Sequence, residues 1–75
     1  MAIYPNPTSS SISIKNVLTE NLKSVMIINI KGQTVKLVNS YNGGFINVDD
    51  LNAGIYFVKL INKDNTVNNL RFIKK

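Results

Sequence analysis

The residues that most often carry chemistry are missing from this chain. Its 75 residues include no His and no Cys, which removes the commonest general base near neutrality and the most reactive nucleophile. A Ser-His or Cys-His relay is therefore impossible. The only acids are Glu20, Asp49, Asp50 and Asp64, and hydrolysis by a carboxylate pair would need two of them across a cleft, one with its pKa raised by burial. Asp49 and Asp50, with Asn47 or Asn52, offer the oxygen ligands that calcium prefers. Their spacing matches no defined calcium loop and reads as an Asx-type turn. Gly32, Gly43, Gly44 and Gly54 lack the spacing, the terminal Lys-Ser/Thr pair and the following helix of a phosphate-binding loop, and read as turn residues. No catalytic, cofactor-binding or metal-binding residue is expected.

The net charge of +5 would attract nucleic acid, anionic glycolipid or an acidic protein surface at low salt. Lys15, Lys23, Lys31, Lys36, Lys59 and Lys63 are nevertheless spread along the chain, and only Arg71, Lys74 and Lys75 come close together. The aromatics Tyr4, Tyr41, Phe45, Tyr56, Phe57 and Phe72 could form a base-stacking platform. No RNA-binding pattern surrounds them, so core packing is the expectation. A nucleic-acid module would require Lys15, Lys23 and Lys36 to converge with Arg71 on one face.

These residues must be positioned by strands. Seventy-five residues set a prior of one domain, with a core dense in apolar side chains because so short a chain buries a limited share of its surface. Ten isoleucines favour pleated strands over helices. Twelve asparagines, with the glycines, sit largely between the apolar runs and supply turn chemistry. No apolar run approaches the roughly 20 residues that a membrane-spanning helix needs, and residues 1–5 lack the basic-then-apolar pattern of a signal peptide. Met1 reads as an initiator placed before an excised domain.

Along the chain, Ile3-Tyr4 is a brief extended start closed by Pro5-Asn6-Pro7, an edge or stiff turn. Residues 11–15 alternate, with Ile12 and Ile14 facing inward. Residues 16–23 read as a loop or connecting turn. Residues 24–30 are apolar at both parities, which suits a central strand covered on both faces or one near a sheet corner. A hairpin through Gly32 leads to a strand over 34–39, and Asn42-Gly43-Gly44 is the strongest turn signal. A short strand covers 45–48. Gly54 then opens a strand over 55–61 with Tyr56, Val58 and Leu60 on one face, and a hairpin at 62–65 leads to a last strand over 66–73. Six or seven strands on short turns give an antiparallel sandwich or barrel, which periodicity alone does not separate.

Three ordered segments carry a resemblance that covers essentially the whole chain. They are Tyr4-Pro5-Asn6-Pro7-Thr8, Asn29-Ile30-Lys31-Gly32-Gln33-Thr34-Val35, and the run from Leu51 through Gly54, Tyr56 and Lys59 to Leu60, followed by the basic finish Phe72-Ile73-Lys74-Lys75. Together they resemble the type A C-terminal sorting domain of the type IX (Por) secretion system of Bacteroidetes. The resemblance implies a small Ig-like antiparallel β-sandwich of about seven short strands at the end of a larger secreted protein. It implies a non-catalytic address that carries attached N-terminal cargo through the periplasm and across the outer membrane to the cell surface or beyond. The implied partners are the type IX outer-membrane translocon and a sortase-like cell-surface peptidase that often removes the domain. Carried over residue by residue, Pro5, Asn6 and Pro7 match the opening motif, Gly32 the mid-domain turn, Gly54 and Tyr56 the Gly-x-Tyr element, and Lys59, Lys74 and Lys75 the later basic positions. These are the expected recognition residues.

The competing reading is a glycan-binding or adhesive β-sandwich from an extracellular enzyme. It requires exposed aromatics forming a groove, whereas the sorting reading expects mostly buried rings.

Overall fold

The computed structural model describes residues 2–4, 8–15, 18–39 and 41–75. Within them lie β1 (Ala2–Tyr4), β2 (Ser11–Lys15), β3 (Leu22–Asn29), β4 (Thr34–Asn39), β5 (Ile46–Asn47), β6 (Gly54–Asn62) and β7 (Val67–Lys74), with one 3₁₀ turn at Thr19–Asn21. The strands form two sheets, ordered β1-β2-β5 and β4-β3-β6-β7. Every strand pair is antiparallel. The chain passes from β2 to the second sheet, returns from β4 to β5, and crosses again to β6. That path gives the expected Ig-like sandwich, with β3, β6 and β7 in the places of strands C, F and G.

The core lies between the sheets. Ile12, Val25, Ile27, Val48, Val58, Leu60 and Phe72 are its fully buried members, each contributing roughly 1.5–3 kcal/mol by leaving water. Register explains their meeting: Val25 pairs with Leu60 and Ile27 with Val58, while Tyr56 pairs with Phe72. Because successive side chains point to opposite faces, these rows are inward and the rows between them outward. The alternation read for β6 and β7 is the one observed, with Leu70 and Phe72 inward and Arg71 and Ile73 outward.

Both long hairpins use the same loop. In the β3–β4 connection the Asn29 N–H donates to the Gln33 carbonyl at 2.9 Å and the Gly32 N–H to the Asn29 carbonyl at 3.0 Å, with Gly32 at φ +86°. In the β6–β7 connection Asn62 donates to Thr66 at 2.9 Å and Asn65 to Asn62 at 2.9 Å, with Asn65 at φ +70°. A three-residue loop ending in a left-handed residue matches the right-handed twist of its strands. Gly fills that place at no steric cost, and Asn is the next best tolerated.

Two expectations change at β3. The strand starts at Leu22 and stops at Asn29, so Ile30 falls in the turn and is exposed. The cause is Asn29, whose Oδ1 accepts the N–H groups of Lys31 and Gln33 at 3.0 and 2.9 Å and diverts the backbone from the ladder. β3 is indeed interior to its sheet, but the second sheet covers only its inward face. Its outward residues Ser24, Met26 and Ile28 are half-buried.

Candidate recognition surface

The motif segments, separated by tens of residues in sequence, gather at one end of the four-stranded sheet. Asn29, which opens the Gly32 turn, pairs with Tyr56, Tyr56 pairs with Phe72, and Gly54 pairs with Lys74. Thr8, directly after the Pro5-Asn6-Pro7 segment, forms a parallel bridge with Lys74. Its N–H donates to the Ile73 carbonyl at 2.9 Å and its carbonyl accepts the Lys75 N–H at 2.7 Å. The start of the domain is therefore sewn to the end of its last strand, covering part of an edge that would otherwise present open backbone groups. Pro5, Asn6 and Pro7 themselves lie outside the described residues. Lys59 stands apart, three residues further along β6 and so about 10 Å from Tyr56.

The Gly54-x-Tyr56 element is an architectural device. The Tyr56 ring is buried and stacks on Phe72 at 5.5 Å between centroids, 19° from parallel. Its hydroxyl donates to the Asn52 carbonyl at 2.7 Å. A tyrosine near the start of the sixth strand that bonds back to the backbone a few residues upstream is the tyrosine corner of Ig-like sandwiches. Gly54, at φ +156°, supplies the backbone freedom to enter the strand there, while a Cβ at that position would meet nothing within 4 Å. The constraint lies in the backbone and not in space.

The basic positions divide. Lys75 is exposed, whereas Lys74 retains only 7% of its surface and donates from Nζ to the Lys75 carbonyl at 3.2 Å. As the inward neighbour of Phe72 on β7, Lys74 belongs to the packing of the domain's end. Lys59 is outward and half-buried, in register with Met26 on one side and Asn69 on the other. Lys15, Lys23, Lys36 and Arg71 do not converge. Lys36 lies in the inward row opposite Ile27 and reaches the Asn47 carbonyl at 2.7 Å and Asp50 at 3.3 Å, closing one side of the sandwich. Arg71 lies in an outward row on the opposite edge strand.

The aromatics do not all enter the core. Tyr41, Tyr56 and Phe72 are buried, but Tyr4, Phe45 and Phe57 are exposed, Phe45 by 66%. Tyr4 and Phe45 meet edge to face at 6.4 Å and 67°, and the Lys15 ammonium sits 4.3 Å from the Tyr4 ring centroid. Phe57 belongs to the other sheet. An edge-to-face pair between β1 and the loop before β5, and a lone ring on the other sheet, make neither a stacking platform nor a groove.

The acids remain scattered. Glu20 lies in the 3₁₀ turn, Asp49 and Asp50 follow β5, and Asp64 sits in the last hairpin. The Asp49 N–H donates to Asn47 Oδ1 at 2.8 Å, so the turn is of the Asx type with Asn47 as its capping residue. Among the described residues no group of three potential metal ligands forms. The Asp64 carboxylate accepts the Thr66 hydroxyl and the Thr66 N–H at 3.0 Å, and these bonds, the hydroxyl first, hold its pKa below the ordinary carboxylate value.

Sequence reasoning missed Tyr41. β5 is only two residues long and pairs with β2 at Ser11 and Ile12 alone, which leaves the Ile14 N–H without a strand partner on that side. The Tyr41 hydroxyl takes the strand's place, accepting the Ile14 N–H at 3.1 Å and donating to the Gly44 carbonyl at 2.7 Å. Ser13 is buried beside it, so β2 is covered more fully than its alternation suggested. The nearby Asn42-Gly43-Gly44 turn was the one available signal, because it returns the chain to the ring that precedes it.

Comparison with known proteins places this geometry. The family model described as a secretion system C-terminal sorting domain matches residues 2–75. No curated protein matches the sequence. A match over nearly the whole chain, on a seven-stranded sandwich that gathers the Gly-x-Tyr corner and the basic finish at one end, shows that the chain belongs to the C-terminal sorting domains that serve as signals in type IX secretion.

Proposed function

We propose that residues 1–75 form the terminal address of a larger secreted protein. After export to the periplasm the folded domain is presented to the type IX outer-membrane translocon, which carries the attached cargo across the outer membrane. A sortase-like peptidase at the cell surface then removes the domain. The domain is a substrate in this sequence of events and performs no turnover.

The observation that supports this reading most is the meeting of Thr8, the Gly32 turn, the Gly54-x-Tyr56 corner and the basic finish at one end of the four-stranded sheet. Motifs kept for local folding alone could lie anywhere on the sandwich. Here the register brings Asn29, Tyr56 and Phe72 into one row, with Thr8 bonded across the end of β7. The recognition residues of this reading are Pro5, Asn6, Pro7, Gly32, Gly54, Tyr56, Lys59, Lys74 and Lys75. Several of them act by building the presented end, not by touching the partner.

Fusing the chain behind a periplasmic reporter in a type IX-competent bacterium tests the proposal. Reporter is expected outside the cell, with a new C-terminus upstream of the domain by mass spectrometry. Reporter that stays wholly periplasmic despite an intact, folded domain would overturn the address; surface reporter still carrying the domain would overturn the removal step.

A further inference from the structure

We infer that the outward face of the four-stranded sheet is a docking surface for a protein partner whose matching patch is apolar and edged with carboxylates. This rests on the sorting function proposed above and names the surface and the partner chemistry. An antiparallel sheet with one side on the core ordinarily shows polar residues to solvent on the other. On this sheet the outward side mixes large apolar residues with the polar ones. Leu37 pairs with Met26, Ile28 with Phe57 and Ile55 with Ile73, all in outward rows. Leu37, Phe57, Ile55 and Ile73 are exposed, Phe57 by 40%. Cross-strand neighbours lie about 5 Å apart, so these side chains form one continuous apolar surface, the kind that marks an interaction site on a folded domain.

The charge around that surface selects the occupant. Lys59 stands in the row of Met26, and Arg71 in the row of Phe57. None of the four acids lies on a strand, whereas Lys59 and Arg71 stand in outward rows of the four-stranded sheet. A second copy would bring the same cations against the same face, on a chain already at +5, and like charges across an interface are repulsive. A surface carrying Asp or Glu around an apolar centre would accept the cations and cover Phe57 and Ile28. The lysine stem can meanwhile lie along the apolar contact with its ammonium at the edge.

Three variants of the reporter fusion test this, each first checked for an unchanged thermal melt. Phe57→Ser removes the central ring, Lys59→Glu reverses the charge on the face, and Lys63→Glu makes the same net-charge change in the β6–β7 hairpin. Export is expected to fall about tenfold or more for the first two, as for loss of a central contact, while Lys63→Glu keeps it. A photo-crosslinking residue at position 57 is expected to join the domain to a component of the outer-membrane machinery in intact cells. Failure of the unmodified fusion to leave the periplasm would count against the sorting function itself. Normal export of folded Phe57→Ser and Lys59→Glu would overturn the docking face alone. Equal loss in Lys63→Glu would reduce it to net charge, and adducts only to the cargo or to a second copy would assign the face to those occupants instead.

Discussion

Replacing Tyr41 by Phe removes one oxygen atom and should cost far more than that suggests. The hydroxyl accepts the Ile14 N–H at 3.1 Å, donates to the Gly44 carbonyl at 2.7 Å and meets the Ser13 Oγ at 3.5 Å. The first is buried, and β5 does not extend far enough to supply another acceptor. A buried donor left unsatisfied costs about 1–3 kcal/mol, and the donated bond contributes about 1 kcal/mol. The Gly44 carbonyl is partly exposed and recovers some of its share from water. The expected loss is therefore about 2–3 kcal/mol, a large fraction of the roughly 4–11 kcal/mol that a domain of this size holds in total. Urea unfolding followed by circular dichroism should show a lower midpoint at unchanged slope, and the thermal midpoint should drop by at least about 10 °C. Amide exchange at Ile14 should speed up more than exchange at Ile12, whose ladder to β5 is intact. A loss under about 0.5 kcal/mol, the range of an ordinary surface substitution, with Ile14 exchange unchanged, would refute the reasoning.

The two hairpin loops and the one perturbed carboxylate give further tests. Gly32→Ala keeps open space around the new Cβ but forces an L-residue to φ +86°, so it should lower stability by about 1–2 kcal/mol in a urea melt; Asn65→Gly, at the matching loop position, should be neutral or slightly stabilising. Asp64 should titrate by NMR below the ordinary carboxylate value, and Thr66→Val should move the midpoint upward by removing the first of its bonds. Because the folded-state pKa is the lower one, the stabilisation it brings is present above the unfolded-state value and fades as pH falls through the folded-state value. Asp64→Asn should flatten stability against pH in that acidic window and nowhere else.

What the sequence made legible is what repeats. Alternation placed β2, β4, β6 and β7 within a residue or two, because a period of two survives wherever one face is buried and the other wet. The loops at Gly32 and at 62–65 were legible for a related reason, since left-handed positions accept few residue types. Contacts made once, across long sequence separations, leave no period. Tyr41 reaches Ile14 across 27 residues, and Lys36 finds Asn47 and Asp50 through the side of the sandwich. Lys74 illustrates the converse. A terminal lysine reads as a solvated charge, yet its inward parity on β7 and the bridge from Thr8 bury it. The apolar residues at both parities of β3 misled in an instructive way, since a strand covered on both faces within the chain was one of the two readings they suited. Its second cover is the one the docking proposal assigns to another protein. The three exposed rings follow from the same limit, since Phe45 and Phe57 have the composition of a core but lie at a loop and on an outward row.

The central claim is that this small sandwich is an address read by one particular machine, and an isogenic pair of strains tests it most directly. The same exported reporter, with and without residues 1–75 at its C-terminus, would be expressed in a bacterium with a working type IX translocon and in its translocon-deficient sibling. The account predicts extracellular or surface reporter in one combination only, domain present and translocon working, with periplasmic reporter in the other three. Equal release from both strains, or equal release with and without the domain, would contradict it.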